Sequence, residues 1–306
     1  MTESYAVFFG DVAQDEYYAM PYFPSGGDKV YVETLPTQFG GMVANAAAIY
    51  AHFGRRTSFS SQLNSGVLTH KLLGQLRELG VATDHVIFDE NVPDSHCIIM
   101  LSGDQNIVLI PSLGITRTEL TDATWEHIRG AEFLFTTLTD AIPFQRGSMR
   151  AIEVLAELRR DGTLVAMDID VFNPENHSSG LIEQCDILFM NALGHQRFVE
   201  SGNDIAAVLA AGASAIVVTL DSGGCHVYTS GGLEHIAGHV VPVIDVTGAG
   251  DTFSSSFMFA YTTTRDPFES ARFANAAAAM SVGKVGARGG MTSETDVRAF
   301  LAERKA

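Results

Sequence analysis

The 306-residue sequence predicts an α/β fold: a mostly parallel sheet covered by helices on both faces, with a small antiparallel sheet set apart from it. Two observations predict this. From residue 131 onward, short apolar runs alternate with helical stretches: "AEFLFTTL", a helix over 147–160, "TLVAMDID", "CDILFMN", another helix, then "AIVVTL". That order builds right-handed βαβ units, which bury both faces of a parallel sheet. The stretches 15–39 and 92–111 break the pattern. "DKVYVETLPTQF" and "SHCIIMLSGDQNIVLIP" alternate or are β-branched, and "SGDQN" reads as a hairpin turn, so these pieces form the second sheet.

The elements follow in order. "YAVFFG" (5–10) is a short apolar run ending in glycine, a buried strand. "GGMVANAAAIYAHFG" (40–54) is apolar around the whole turn, a buried helix closed by Gly54. "TSFSSQL" is a strand, and Leu68, Leu72, Leu76 and Leu79 follow at helical spacing up to Gly80. "VATDHVIF" returns to strand. The chain closes on "SETDVRAFLAERKA", an amphipathic helix with Ser293 as its N-cap.

Composition narrows the function. Lys and Arg number 19 against 36 Asp and Glu, a formal net charge of −17, which repels nucleic acid and anionic membrane. A polyanionic ligand must therefore be held by local design. Cys97, Cys185 and Cys225 are far apart, and neither a disulfide framework nor a zinc ribbon is expected. "MTESYAVFFGDV" lacks the pattern of a signal peptide, and no apolar run approaches a membrane span. The expected location is cytoplasmic.

The chemistry concentrates in "DVTGAGDTFSSSFMFAY" (245–261). Phe253, Phe257, Met258 and Tyr261 lie near a three-four spacing, so a glycine turn opens a helix. Such a turn presents unpaired N–H groups at the positive end of the helix dipole, and glycine lets a phosphate approach closely. A carboxylate there would weaken simple phosphate binding. Asp251 makes sense as the base for an attacking hydroxyl, while the turn stabilises charge on a transferred phosphoryl group. The bland alternative is a helix N-terminus with an acid in its first turn. Rival motifs fail: Phe253 breaks a dinucleotide fingerprint, and Gly283-Lys284 is followed by Val285 rather than by the Ser or Thr of a phosphate loop.

Three stretches in order resemble the ribokinase-like carbohydrate kinases, the phosphofructokinase B type. They are "FGGMVANAAAIYAHFG", "DVTGAGDTFSSSF" and "FANAAAAMSVGKVGARGG", and the likeness spans the chain. The resemblance implies one kinase domain over 1–306: a three-layer αβα sandwich with a β lid formed by about 15–39 and 92–111. It implies ATP-dependent phosphorylation of a sugar hydroxyl, with Mg2+. Asp251 would be the base, and Gly248, Ala249 and Gly250 the anion hole. Asp15, Gly41 and Asn45 would hold the sugar. Asn191, Thr219, Asp221, Gly223, Gly224 and Asn275 would face the nucleotide. Asp245 and Thr247 match a loop that binds a monovalent cation in many members, which makes K+ a candidate activator.

Two positions depart from the family. Gly194 stands where a glutamate often helps organise magnesium, and Met42 replaces the lysine of ribokinase itself. Asp168 and Asp170 share a strand face and are candidates to replace that glutamate; the plainer reading is a solvated strand end. His235 and His239 read as structural or exposed. "DEYYAMPYF" is a sugar-side surface, lid core or dimer contact. A nucleoside kinase of the same fold and a non-catalytic nucleotide- or sugar-binding member remain as alternatives. A homodimer through the lid edges is left open.

Overall fold

Alternation along each strand of the main sheet sorts its side chains into two cores. Ala6 and Phe8 face one, Val7 and Phe9 the other. Phe133, Phe135, Ile187, Phe189, Ala215 and Val217 join the first core, and Leu134, Leu188, Met190, Ile216 and Val218 the second. In the computed structural model, which describes residues 4–103, 105–170, 172–174 and 180–304, these strands form one nine-stranded sheet. Its order is Gly232–Ala237, Gly224–Thr229, Ala215–Thr219, Ile187–Asn191, Leu164–Asp168, Phe133–Thr137, Tyr5–Phe9, Arg56–Ser60 and Val81–Ala82. All neighbours are parallel except the hairpin pairings of the first three. Helices Met42–His52, Val67–Glu78, Ala249–Thr264, Pro267–Ser281 and Glu294–Glu303 cover the first core. Asp122–Arg129, Ala151–Arg160, Ala192–Glu200 and Ile205–Ala210 cover the second. These are the three layers expected.

The chain leaves Tyr5–Phe9 toward Arg56–Ser60 on one side and later returns to Phe133–Thr137 on the other. The sheet order therefore reverses at Tyr5–Phe9, and the crevice beyond the carboxyl ends of its strands is where an α/β sheet binds ligands.

The second sheet runs Gln105–Leu109, His96–Ser102, Ala13–Ala19, Glu33–Thr34, with Gln38–Gly40 also paired to Ala13–Ala19. Its strands fall within or beside the two stretches singled out in the sequence, but it is not wholly antiparallel. Ala13–Ala19 pairs parallel to His96–Ser102, from Gln14 opposite His96 to Ala19 opposite Leu101. A parallel pair needs a long crossover, which residues 20–95 supply. Of "DKVYVETLPTQF" only two short pieces are strand; Pro36 interrupts the run, and Tyr31 is 98% exposed. The hairpin at "SGDQN" forms, though Asp104 itself lies outside the described residues, as do the first three residues and Lys305 and Ala306, which end the stretch expected as the last helix.

Three further boundaries differ from expectation. The helix expected over 147–160 begins at Ala151, because Phe144–Arg146 and Met149–Arg150 form a hairpin about Gly147, whose φ is 59°. "TSFSSQL" breaks after Ser60, and "VATDHVIF" is interrupted after Ala82. The outer halves, Gln62–Leu63 and Ile87–Phe88, pair in a small sheet of their own.

Candidate active site

The Met42–His52 helix begins without a side-chain cap of its own, at Gly41 with φ 96°. A Cβ at Gly41 would stand 2.6 Å from the Cα of Val12, so glycine is required for this close approach. Asp11, just beyond the Tyr5–Phe9 strand, supplies the missing cap: one carboxylate oxygen accepts from the Met42 N–H and the other from the Val43 N–H, both at 2.9 Å. This fixes the helix against the switch point of the sheet. One turn on, it delivers Asn45 to the crevice, with 5% of its surface exposed.

Asn45 faces the Ala249–Thr264 helix. Its Nδ2 donates to Oδ2 of Asp251 at 2.8 Å. Asp251 lies in the first turn of that helix, behind Gly248, whose φ is 76°. A Cβ at Gly248 would fall 2.6 Å from the Cα of Ala287, whereas one at Gly250 would meet nothing within 4 Å. The turn is thus packed on one side and open at Gly250, a cradle that any Cβ would begin to fill. The Ala249 N–H is spent on the Val246 carbonyl at 3.1 Å. Of the three turn residues, Gly250 is therefore the better-placed donor to an incoming anion, joined by the first-turn N–H of Asp251.

Charge gives the site its character. Burial, with the carboxylates of Asp11, Asp168 and Asp170 around it, pushes Asp251 up to about 8, although the Asn45 bond works the other way. Asp15, 9% exposed on the Ala13–Ala19 strand, is raised to about 6 by burial and by Asp11, with Arg288 opposing. Burial holds Asp11 and Asp140 above the usual carboxylate range as well; Thr137 donates to Asp140 at 2.6 Å. Arg288 is the counter-charge within this group, lowered by burial to about 10 despite Asp251, Asp15 and Asp11. A Cβ at Gly40 would overlap the Asp15 carboxylate, so the Gly40-Gly41 pair serves both the helix entry and the seat of Asp15.

Asn191 and Thr219 are register partners at the ends of adjacent parallel strands. Asn191 caps its own helix through the Gly194 N–H at 2.7 Å and donates to Asp170 at 2.8 Å. Asp221 and Gly223 form an exposed turn that leads to Gly224 (φ 94°), where a Cβ would overlap the Ile236 carbonyl. Asn275 is turned inward: its Nδ2 donates to the carbonyls of Ile236 at 3.1 Å and Ala237 at 3.3 Å, so its amide group holds a strand end. Asp245 accepts from the N–H groups of Thr247 at 2.9 Å and Gly286 at 2.8 Å, tying two loops together. Burial opposes its charge, but these bonds prevail and its carboxyl sits below the usual range.

The solvated strand end expected at Asp168 is corrected. Asp168 is buried and raised to about 7 by burial; its Oδ1 accepts from the Asp170 N–H at 2.9 Å, while Asp170 is exposed. His235 is exposed and meets the Gly223 carbonyl at 2.9 Å, and His239 packs edge-on to Phe300, in keeping with the reading of both as structural or exposed. Sequence reasoning missed Asp11, Asp140 and Arg288. For Asp11 a signal existed, since it follows a buried strand that ends in glycine.

The model of the pfkB family carbohydrate kinases matches residues 4–294. The ribokinase of Haemophilus influenzae is 26% identical over 306 aligned residues, covering 95% of this chain and 96% of its own. The structure of Arabidopsis thaliana ribokinase complexed with ribose and ATP superposes with a TM-score of 0.79 at 26% identity, covering 98% of this chain and 99% of that one. The nucleoside kinase of Methanocaldococcus jannaschii gives the same TM-score at 20% identity, covering 98% of each chain, a likeness of fold.

Proposed function

The chain is a member of the pfkB family of carbohydrate kinases, and from that premise we propose that it transfers the terminal phosphoryl group of ATP to a hydroxyl of a sugar or sugar-derived molecule. One observation carries the reading: a mostly enclosed carboxylate, Asp251, stands in the first turn of a helix that opens onto free space at Gly250. The ionised Asp251 accepts the proton of the acceptor hydroxyl as that oxygen bonds to the terminal phosphorus of ATP, and the bond from that phosphorus to ADP breaks, so that ADP leaves. The Gly248–Gly250 turn faces the charge that develops; burial raises the Asp251 carboxyl to about 8, so the ionised form that acts as base is a strong one and a minor one at pH 7.

The acceptor lies between Asp15, Gly41 and Asn45, beneath a lid made of the smaller sheet. Asp11, Asp15 and Asp251 against the single guanidinium of Arg288 favour a neutral polyol over a sugar acid. Asn191, Thr219, Asp221, Gly223 and Gly224 line the nucleotide side, with Asn275 fixing the strand end behind them. ATP supplies the phosphoryl group. Among the described residues no three His, Cys, Asp or Glu side chains converge on a metal point, and Gly194 offers no carboxylate. Mg2+ would be held chiefly by the triphosphate, whose charge this acidic chain does not neutralise. Asp245 and Thr247 are the residues for K+. The setting is cytoplasmic.

A second reading, a nucleoside acceptor, draws on Tyr17. It sits two residues beyond Asp15 on one strand, half-buried, and is pushed up to about 12 by burial and by Asp15, a ring beside the acceptor carboxylate. Release of ADP, measured with sugars, sugar acids and nucleosides in turn, tests both readings and separates them from a non-catalytic binder. Neutral sugars are expected to lead, excess chelator to abolish the rate, and K+ to exceed a bulky organic cation at matched ionic strength. No ADP release with any acceptor would refute the kinase reading.

A further inference from the structure

We propose that Arg288 is a positioning residue for the base: it holds the Asn45 amide so that the nitrogen, and not the oxygen, faces Asp251. This rests on the reading of Asp251 as the base. An asparagine amide is nearly symmetric in shape, and a half-turn of its side chain exchanges donor for acceptor. Turned the wrong way, Asn45 would set its oxygen against the Asp251 carboxylate. The guanidinium has donors only, so it selects the oxygen. Nε of Arg288 donates to Oδ1 of Asn45 at 2.8 Å, which leaves Nδ2 to donate to Asp251, also at 2.8 Å.

The guanidinium is itself held in place. Its other nitrogens donate to the Gln75 side chain and, at 3.3 Å, to the Gly40 carbonyl. Two residues before it in the chain, the Gly286 N–H is tied to Asp245 at 2.8 Å. Arg288 thus joins three segments on the acceptor side, Gly40, Asn45 and Gln75, to the loop pinned by Asp245. The base takes its orientation from that junction. Hydrogen bonds that merely stabilised the loop would not need to end on the one amide that touches Asp251.

The test is a double-mutant cycle on the full chain with Arg288→Met, Asn45→Ala and both. A misplaced base loses on the order of 10–100-fold in kcat. Arg288→Met is expected to lose kcat in that range while KM for ATP stays within about twofold, and the double variant to fall no more than about twofold below the worse single one. Multiplicative losses would overturn the proposal. Gln75→Leu removes one support of the guanidinium and keeps its charge, so a smaller loss of kcat is expected even where Arg288→Met does not fold; an unchanged kcat there would also overturn it. An arm independent of activity uses protein labelled with 15N-asparagine. The Asn45 side-chain amide signal, identified by its loss in Asn45→Ala, is expected to shift in Gln75→Leu and Arg288→Met. If it stays still, the positioning role is wrong. If it shifts in a protein that phosphorylates nothing, the positioning role stands and the kinase reading fails.

Discussion

Replacing Asp251 by asparagine should slow the enzyme and stabilise the fold together. An amide at 251 keeps the shape and can present its own oxygen to Asn45 Nδ2, so the 2.8 Å bond and the glycine turn survive. It cannot take a proton from the acceptor hydroxyl, and kcat is expected to fall by about 10²–10⁴-fold. Stability moves the other way. The Asp251 carboxyl goes from an ordinary value of 3.8 to about 8 in the fold. Between those pH values the unfolded chain has released a proton that the folded chain keeps, so rising pH costs the fold about 1.4 kcal/mol for each pH unit crossed. The stability is fully present below 3.8 and is lost as pH rises through about 8. At pH 7 the ceiling is ~4 kcal/mol; with partial relaxation, asparagine is expected to recover about 1–3 kcal/mol. That is a rise of about 2–6 °C in Tm, absent at pH 4. Calorimetry at the two pH values and steady-state rates on one preparation decide the matter. An Asp251→Asn protein that melts lower and turns over normally would make Asp251 a helix-terminal acid and refute the catalytic assignment.

Asp15→Ala is expected to raise the acceptor KM by about 5–150-fold, the loss of one buried hydrogen-bonding partner, with KM for ATP nearly unchanged; initial rates check it, and normal acceptor kinetics would put the sugar elsewhere. His127 supplies a pH test far from the site. Burial and the stacked His85 ring, 3.8 Å away, lower it to about 4, so the fold holds it neutral. Its contribution is present above 6.5 and is lost as pH falls toward 4, because the unfolded chain binds the proton first. The stability difference between wild type and His127→Gln, from urea midpoints at pH 4–7, should therefore shrink or reverse as pH falls. A difference independent of pH would show that His127 titrates normally.

The main sheet was legible because its signals are local. Runs such as "AEFLFTTL" and "CDILFMN" need no partner to be read as buried strands, and the βαβ order then dictates parallel pairing. The smaller sheet was legible as a location and not as a topology. Whether Ala13–Ala19 pairs parallel or antiparallel to His96–Ser102 depends on how residues 20–95 return, and nothing within either strand records that. The misplaced helix start at 147–160 has a local cause that the apolar spacing hides: Gly147 takes positive φ and turns a short hairpin before Ala151.

The site divides along the same line. The glycines that open helices could be read, because a turn that admits no Cβ leaves its mark in one stretch of sequence. Of the charged groups around Asp251, Asp168 and Asp170 could be noticed at a strand end, but the reach of Asp11 and Arg288 could not. Asp11 reaches Met42 across 31 residues, and Arg288 reaches Asn45 across 243. In the sequence Arg288 is one cation in a glycine-rich loop, without a periodic pattern to say which way it points. Only the fold places it among Asp11, Asp15 and Asp251, where its burial is matched by their charge. A motif can therefore point to Asp251 as the candidate base, but its proton affinity is a property of the assembled crevice. The carboxylates of Asp11, Asp168 and Asp170 raise it, and the Asn45 bond lowers it. The amide that makes this bond is itself held by Arg288, so the Asp251 carboxyl is tuned from segments far apart in the chain.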